Sequence, residues 1–240
     1  MAFGENPRMY PVPSSDILYA GRTDLICLMD GIETIIDFKT GTKPKPKDGY
    51  PEWRLQTAAY RNGAFAYGNG VVHLDKETGE MSWYDYTATF REDLEAFLYL
   101  VKFWRNRNVE KLDGQCPSVT TITGVLDKSG PLMWWAVNSM RDYLYEKFDD
   151  EFRDNEIVTC KIEWLYQMVE DGRKNFRKVS KKAMDIGTLT HDAIEQWLNH
   201  KIEPSKESPD EVIAGFVAFL DWWESRNIEV IETEKVIYGR

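Results

Sequence analysis

Two β-rich, largely apolar runs flank Asp30-Gly31 in "AGRTDLICLMDGIETIIDFKTG", residues 20 to 41, and predict a hairpin whose turn residues both take positive φ. With a two-residue loop, Met29 faces Ile32, and the same register sets Asp24 across from Asp37 and Arg22 across from Lys39. Apolar positions at helical spacing continue through 52–67, followed by strand-like runs at 70–74 and 80–87. A helix over 89–106 carries Leu94, Phe97, Leu98, Val101 and Trp104 on one face. From Pro117 to Asn227 almost everything reads as helix, with stretches at 131–147, 156–170 and 174–199. A further helix opens on Ser208-Pro209-Asp210-Glu211, a capping box with proline at the first helical position. Its expected buried stripe is Ile213, Phe216, Val217, Leu220 and Trp223. Strand character returns at 228–238, and this strand is expected to rejoin the sheet that the hairpin begins. The order predicts an α/β or α+β core.

Proline, glycine, asparagine and serine crowd residues 1–16, which read as an N-terminal arm. The expected division is a core over 17–110, a helical region over 111–227 and a final core strand over 228–240, together one compact domain. Net charge of −10 and a pI near 4.9 argue against a protein that coats duplex DNA through a broad basic surface. A local basic groove stays compatible with them. Three cysteines, Cys27, Cys116 and Cys160, form no C-x-x-C pair, so no disulfide framework, zinc ribbon or iron–sulfur cluster is expected. No apolar run approaches a membrane span and the N-terminus has no signal-peptide core. A cytoplasmic protein, bacterial or from a phage-infected cell, is the expectation.

The chemistry concentrates on the hairpin. Two opposed carboxylates, Asp24 and Asp37, are suited to a divalent cation, and Lys39 follows Asp37 on the same face of the strand. A cation held there binds a scissile phosphate and acidifies an attacking water, while an ammonium stabilises developing charge. His191, in "MDIGTLTHDAIEQWL", shares a helix with the apolar Ile186, Leu189, Ile194 and Trp197. A lone helix histidine is more often structural, and its functional role here is that of a third ligand. Gln56 and Tyr60, four residues apart, share a helix face and can contact phosphate or base. Lys43, Lys45 and Lys47, in the loop after the hairpin, read either as a solvated basic loop or as phosphate contacts. "GRKNFRKVSKK", with Arg173, Lys174, Arg177 and Lys178 around Phe176, suits a strand-lining surface. Glu234 is expected within reach of a second metal ion.

"AGRTDLI", "IIDFKTG", "LQTAAY" and "IGTLTH" together resemble the G-x-x-D, (D/E)-x-K, Q-x-x-x-Y and histidine motifs of the RecB-like PD-(D/E)xK nuclease superfamily. With "PSVTTITGVLD" and "IEVIETEKVIYG", the chain is most similar to the mitochondrial genome maintenance exonuclease type. The resemblance implies a restriction-endonuclease-like mixed sheet flanked by helices, with a helical arch. It implies a Mg²⁺- or Mn²⁺-dependent exonuclease acting on single-stranded DNA ends and working beside other replication or recombination proteins. His191, Asp24, Asp37 and the Phe38 backbone carbonyl become metal ligands, and Lys39 the catalytic lysine. A flap endonuclease of the same superfamily and a non-catalytic DNA-binding module are the alternatives. In the family the histidine helix and the "ETEKVIY" strand precede the hairpin. Here they follow it, so the chain reads as circularly permuted, joined near 109–117, with its ends between Tyr238 and Tyr19.

Overall fold

A computed structural model of the chain describes residues 9–11, 17–41, 46–108, 115–126, 129–152 and 161–240. Asp30 and Gly31 take φ of 52° and 83°, the two positive values that a two-residue turn demands. They join β2 (Tyr19–Met29) to β3 (Ile32–Gly41) with Met29 facing Ile32, as the turn requires. Pro51 fixes the first turn of α1 (Pro51–Ala64), and this helix carries the chain across to β4 (Gly68–Asp75), parallel to β3. Every residue of β4 is buried, as expected of a strand with a parallel neighbour and both faces covered. β5 (Met81–Asp85) and α2 (Phe90–Arg107) follow, close to their expected bounds.

The strand at the far end of the sequence, β7 (Ile228–Gly239), pairs antiparallel with β2, so the sheet runs β5-β4-β3-β2-β7. It is a five-stranded mixed sheet flanked by helices. Period-two alternation sends Ile26 and Ile35 to one face, where they pack with Leu55, Tyr60, Phe97 and Val101 of α1 and α2. Leu25, Ile36 and Phe38 point to the other, against Ile194 and Leu198 of α5 (Ile162–His200) and Phe216, Phe219 and Trp222 of α6 (Asp210–Glu224). Within the expected arm, β1 (Met9–Pro11) pairs with β6 (Gln115–Pro117), and α3 (Val119–Thr123) follows β6.

Three details differ from the sequence reading. The stretches expected at 156–170 and 174–199 form one helix, α5, from Ile162 to His200; residues 156–160 lie outside the described part. Gly172 does not break it because α4 (Ser129–Phe152) packs there, with Met140 and Tyr143 each 3.3 Å from the position of an added Cβ. Ser208 caps nothing at the start of α6: Pro209 is the N-cap, and its carbonyl takes the first helical bonds. Finally, α6 buries Val212, Phe216, Phe219 and Trp222 while Val217 is exposed, so its inner face is rotated from the expected stripe.

The chain divides into two compact units, one of Met1–Leu126 with Ile186–Arg240 and one of Asp127–Asp185. The helical unit is thus narrower than 111–227, because α6 and the C-terminal part of α5 belong with the sheet. Among the described residues no helix is long and apolar enough to cross a membrane.

Candidate active site

The hairpin ladder ends sooner than its register predicts. Leu25–Ile36 is the last pair, and Asp24 drops out of the pairing with β7 as well, between Thr23–Lys235 and Leu25–Thr233. Had the ladder continued, the next hydrogen-bonded pair would have joined Thr23 to Phe38. Instead the Asp24 side chain enters the gap, and its Oδ2 accepts from the Phe38 N–H at 2.7 Å. Asp24 therefore does not stand opposite Asp37 as a ladder pair, and Arg22 does not stand opposite Lys39. Arg22 turns outward to Glu234, 2.8 Å away, a residue held at φ 49°. This is an expected register corrected by a side chain that outcompetes a backbone partner.

The same gap leaves the Phe38 carbonyl free of β2, and its nearness to the His191 imidazole favours the protonated ring. His191 Nδ1 lies 3.7 Å from Asp24 Oδ2, and its ring meets the Phe38 ring edge-on at 6.4 Å. The motif "IGTLTH" explains how the helix comes so close. An added Cβ at Gly187 would stand 2.9 Å from Thr40 Oγ1 on β3, and Thr190 is wholly buried with its hydroxyl donating to the Ile186 carbonyl. His191 is the next residue. Gly21, three residues before Asp24, performs the same service on the other face: an added Cβ would meet Tyr60 at 2.5 Å.

Asp37 points to the α1 face and is 2% exposed. Its Oδ1 accepts from Gln56 Nε2 at 3.0 Å, and the same nitrogen donates to the Tyr60 hydroxyl at 2.9 Å. Gln56 and Tyr60 are both buried, so they hold Asp37 from behind rather than presenting polar groups to solvent. Asp37 Oδ2 lies 2.6 Å from Lys39 Nζ, outside the angles of a hydrogen bond.

The electrostatics of this corner follow from burial and crowding. Burial, with the charge of Asp37 beside it, pushes the Asp24 carboxyl well above its ordinary range. Burial works against the Lys39 ammonium too, but Asp37 and Asp24 outweigh it and the lysine is raised. The His191 imidazole is lowered by burial and by the nearby Lys39 charge, against the pull of Asp37. A neutral imidazole beside two carboxylates is the ligand chemistry of a borderline to hard divalent cation. Among the described residues, however, no group of three His, Cys, Asp or Glu side chains is placed to hold a metal ion, and the Lys39 ammonium sits against Asp37 Oδ2. The donor set fits a cation in chemistry, with Lys39 as its competitor for Asp37.

The remaining expected residues divide. Glu234 lies near enough for Asp24, Asp37, Asp192 and Glu195 to be felt electrostatically, and its carboxyl is raised chiefly by burial. Asp192 and Glu195, one and four residues after His191 on α5, are carboxylates that no motif marks, although the spacing of four places His191 and Glu195 on one helix face. Lys43 and Lys45 lie outside the described residues. Lys47 is exposed in the turn before α1. Lys174, Arg177 and Lys178 lie on α5 in the helical unit and are exposed. Arg173, whose side chain is outside the described part, belongs to the same stretch of α5.

No protein-family model, curated protein or solved structure matches the chain.

Proposed function

We propose that the protein is a Mg²⁺- or Mn²⁺-dependent deoxyribonuclease that hydrolyses phosphodiester bonds at single-stranded DNA ends, with the RecB-like PD-(D/E)xK fold that its motifs suggest. One observation carries the reading. Residues scattered from position 24 to position 191 meet in one corner, where Asp24 spans 2.7 Å to Phe38 N and 3.7 Å to His191. In the same corner Asp37 lies 2.6 Å from Lys39.

Asp24, Asp37, His191 and the Phe38 carbonyl would hold the ion, which when bound supplies Lewis acidity toward a phosphate and its attacking water. Gln56 and Tyr60 fix the Asp37 carboxylate. Lys39, which lies against Asp37, would offer its ammonium to the phosphate or the incoming water. Glu234, tied to Arg22, contributes negative charge at the rim.

The Asp37–Lys39 contact also favours a second reading, a non-catalytic DNA-binding module whose buried carboxylate is already compensated. End-labelled single- and double-stranded DNA, followed over time with Mg²⁺, Mn²⁺ or EDTA, separates the two. The nuclease reading expects metal-dependent shortening of single strands, abolished in Asp37→Ala and Lys39→Ala proteins of unchanged circular dichroism. Digestion that survives both substitutions would overturn it, and absent Mn²⁺ binding by calorimetry would favour the module. A circular single strand then tells an exonuclease, which leaves it intact, from a flap or other endonuclease.

A further inference from the structure

Helix α2 carries a second stripe beside the one it buries. Phe97, Val101 and Trp104 face the core, while residues 91, 95, 98, 102 and 105 recur at spacings of four and three along the adjoining face. Two hollows follow that stripe, of about 370 and 400 Å³. They share Leu98 and Lys102 and so form one groove. Its floor is aliphatic, built from Leu94, Leu98, Val101 and Leu18. Its rim holds Arg91, Lys102, Arg105 and Arg240 against, among the described residues, a single acidic side chain, Glu95. Glu92 and Asp93 line neither hollow. That balance runs against a chain of net charge −10, and it is sharpest at the Lys102–Arg240 end, where among the described residues no acidic side chain lines the groove. Tyr99, 65% exposed, stands at the edge.

We infer that this groove docks an acidic peptide segment of a partner protein, one bearing two or more large apolar side chains. The apolar anchors fill the hollows over Leu94, Leu98 and Val101, and the carboxylates lie over Lys102, Arg105 and Arg240. An aliphatic, pocketed floor receives branched side chains, as helix-in-groove and short-motif recognition do. A nucleic-acid strand would instead require a row of flat aromatic faces for its bases, and among the described residues Tyr99 is the one aromatic side chain that lines either hollow. Basic rims chiefly steer and orient an acidic partner, so binding weakens with salt. The site is separate from the Asp24 corner and does not depend on the nuclease reading.

Fluorescence anisotropy on the full chain, in EDTA, tests it with three labelled probes: a ten-residue peptide alternating Asp and Glu with Leu and Phe, an all-Glu peptide, and a dT15 oligonucleotide. The expected result is saturable binding of the mixed peptide but not of the all-Glu peptide, about tenfold weaker in an Arg91→Glu/Lys102→Glu double variant, with any dT15 affinity the same in parent and variant. Both positions are exposed, so the fold is retained. A Tyr99→Ala variant should also weaken it. Failure of the mixed peptide to bind, or binding unchanged in the double variant, overturns the proposal. So does dT15 binding that the double variant abolishes, since the groove would then be a surface for a DNA strand.

Discussion

A single amide nitrogen stands behind the proposed site. Gln56 Nε2 reaches both Asp37 and Tyr60, so replacing Gln56 removes the donor of a buried carboxylate. Gln56→Leu should destabilise the protein by about 1–3 kcal/mol, the cost of an unsatisfied buried acceptor, and lower nuclease rates much more than DNA binding. Urea melts read the first effect and single-turnover digestion the second. Tyr60→Phe, which leaves the Gln56–Asp37 bond in place, should be milder on both. A different carboxylate offers a pH test away from the site. Asp75 Oδ1 caps the turn after β4, accepting from the N–H groups of Glu77 and Thr78. Burial alone would raise this carboxyl, but those bonds prevail and hold it below its ordinary value. A carboxyl lowered on folding adds stability that is present above the unfolded value, near 3.9, and lost as the pH falls through the folded one. Asp75→Ala should therefore melt earlier than the parent at pH 7, and the difference should shrink below about pH 4.

At the scale of elements, His191 is placed by packing rather than by a hydrogen bond of its own helix. Thr190 is pressed against Gly215 of α6, where an added Cβ would come within 2.9 Å of its methyl. Gly215→Ala should cost about 1–3 kcal/mol by overpacking and shift the turn of α5 that carries His191. The expected readout is weaker Mn²⁺ binding with the Asp37–Gln56 side untouched; affinity equal to the parent's would mean that the helix does not depend on this contact. The elements themselves were largely legible in the sequence, each for a local reason. Asp30-Gly31 announced its turn because few residues tolerate positive φ, and Phe97, Val101 and Trp104 announced α2 by their spacing. What escaped was decided by neighbours distant in sequence. The stretches 156–170 and 174–199 read as separate, yet they join through Gly172, where α4 packs, and Ser208 looked like a cap until Pro209 took its place. Trp222 and Trp223 are equally apolar, so only the sheet decides which one faces inward. The candidate residues were legible as types and motifs. Their geometry was not, because Asp24 leaves the ladder to bind the Phe38 N–H, and no pattern of residues announces that choice.

For the whole molecule, the division into units makes a sharper demand. The sheet, both of its helical covers and the four side chains of the proposed site all fall within Met1–Leu126 and Ile186–Arg240. Replacing 127–185 by a flexible Gly/Ser linker should leave a cooperatively folding protein that still binds Mn²⁺ in calorimetry. If the helical unit guides the strand, the shortened protein should lose its preference for single-stranded ends and cut single and double strands alike. Loss of cooperative unfolding would instead make the helical unit a structural requirement.

The outer neighbour of β2 brings a consequence in time. Tyr19 faces Gly239 across the sheet, and the hairpin turn is fastened by Asn227, 197 residues from Asp30. Contacts of such range are slow to form, because a long loop must close before they repay its entropy. During synthesis the hairpin emerges early with its outer edge unpaired, an open strand of the kind that recruits wrong partners. α5, which brings His191, and β7, which covers that edge, are made only later. The nascent chain thus carries the carboxylates long before it carries a finished centre, and the proposed chemistry waits on the closing of the sheet.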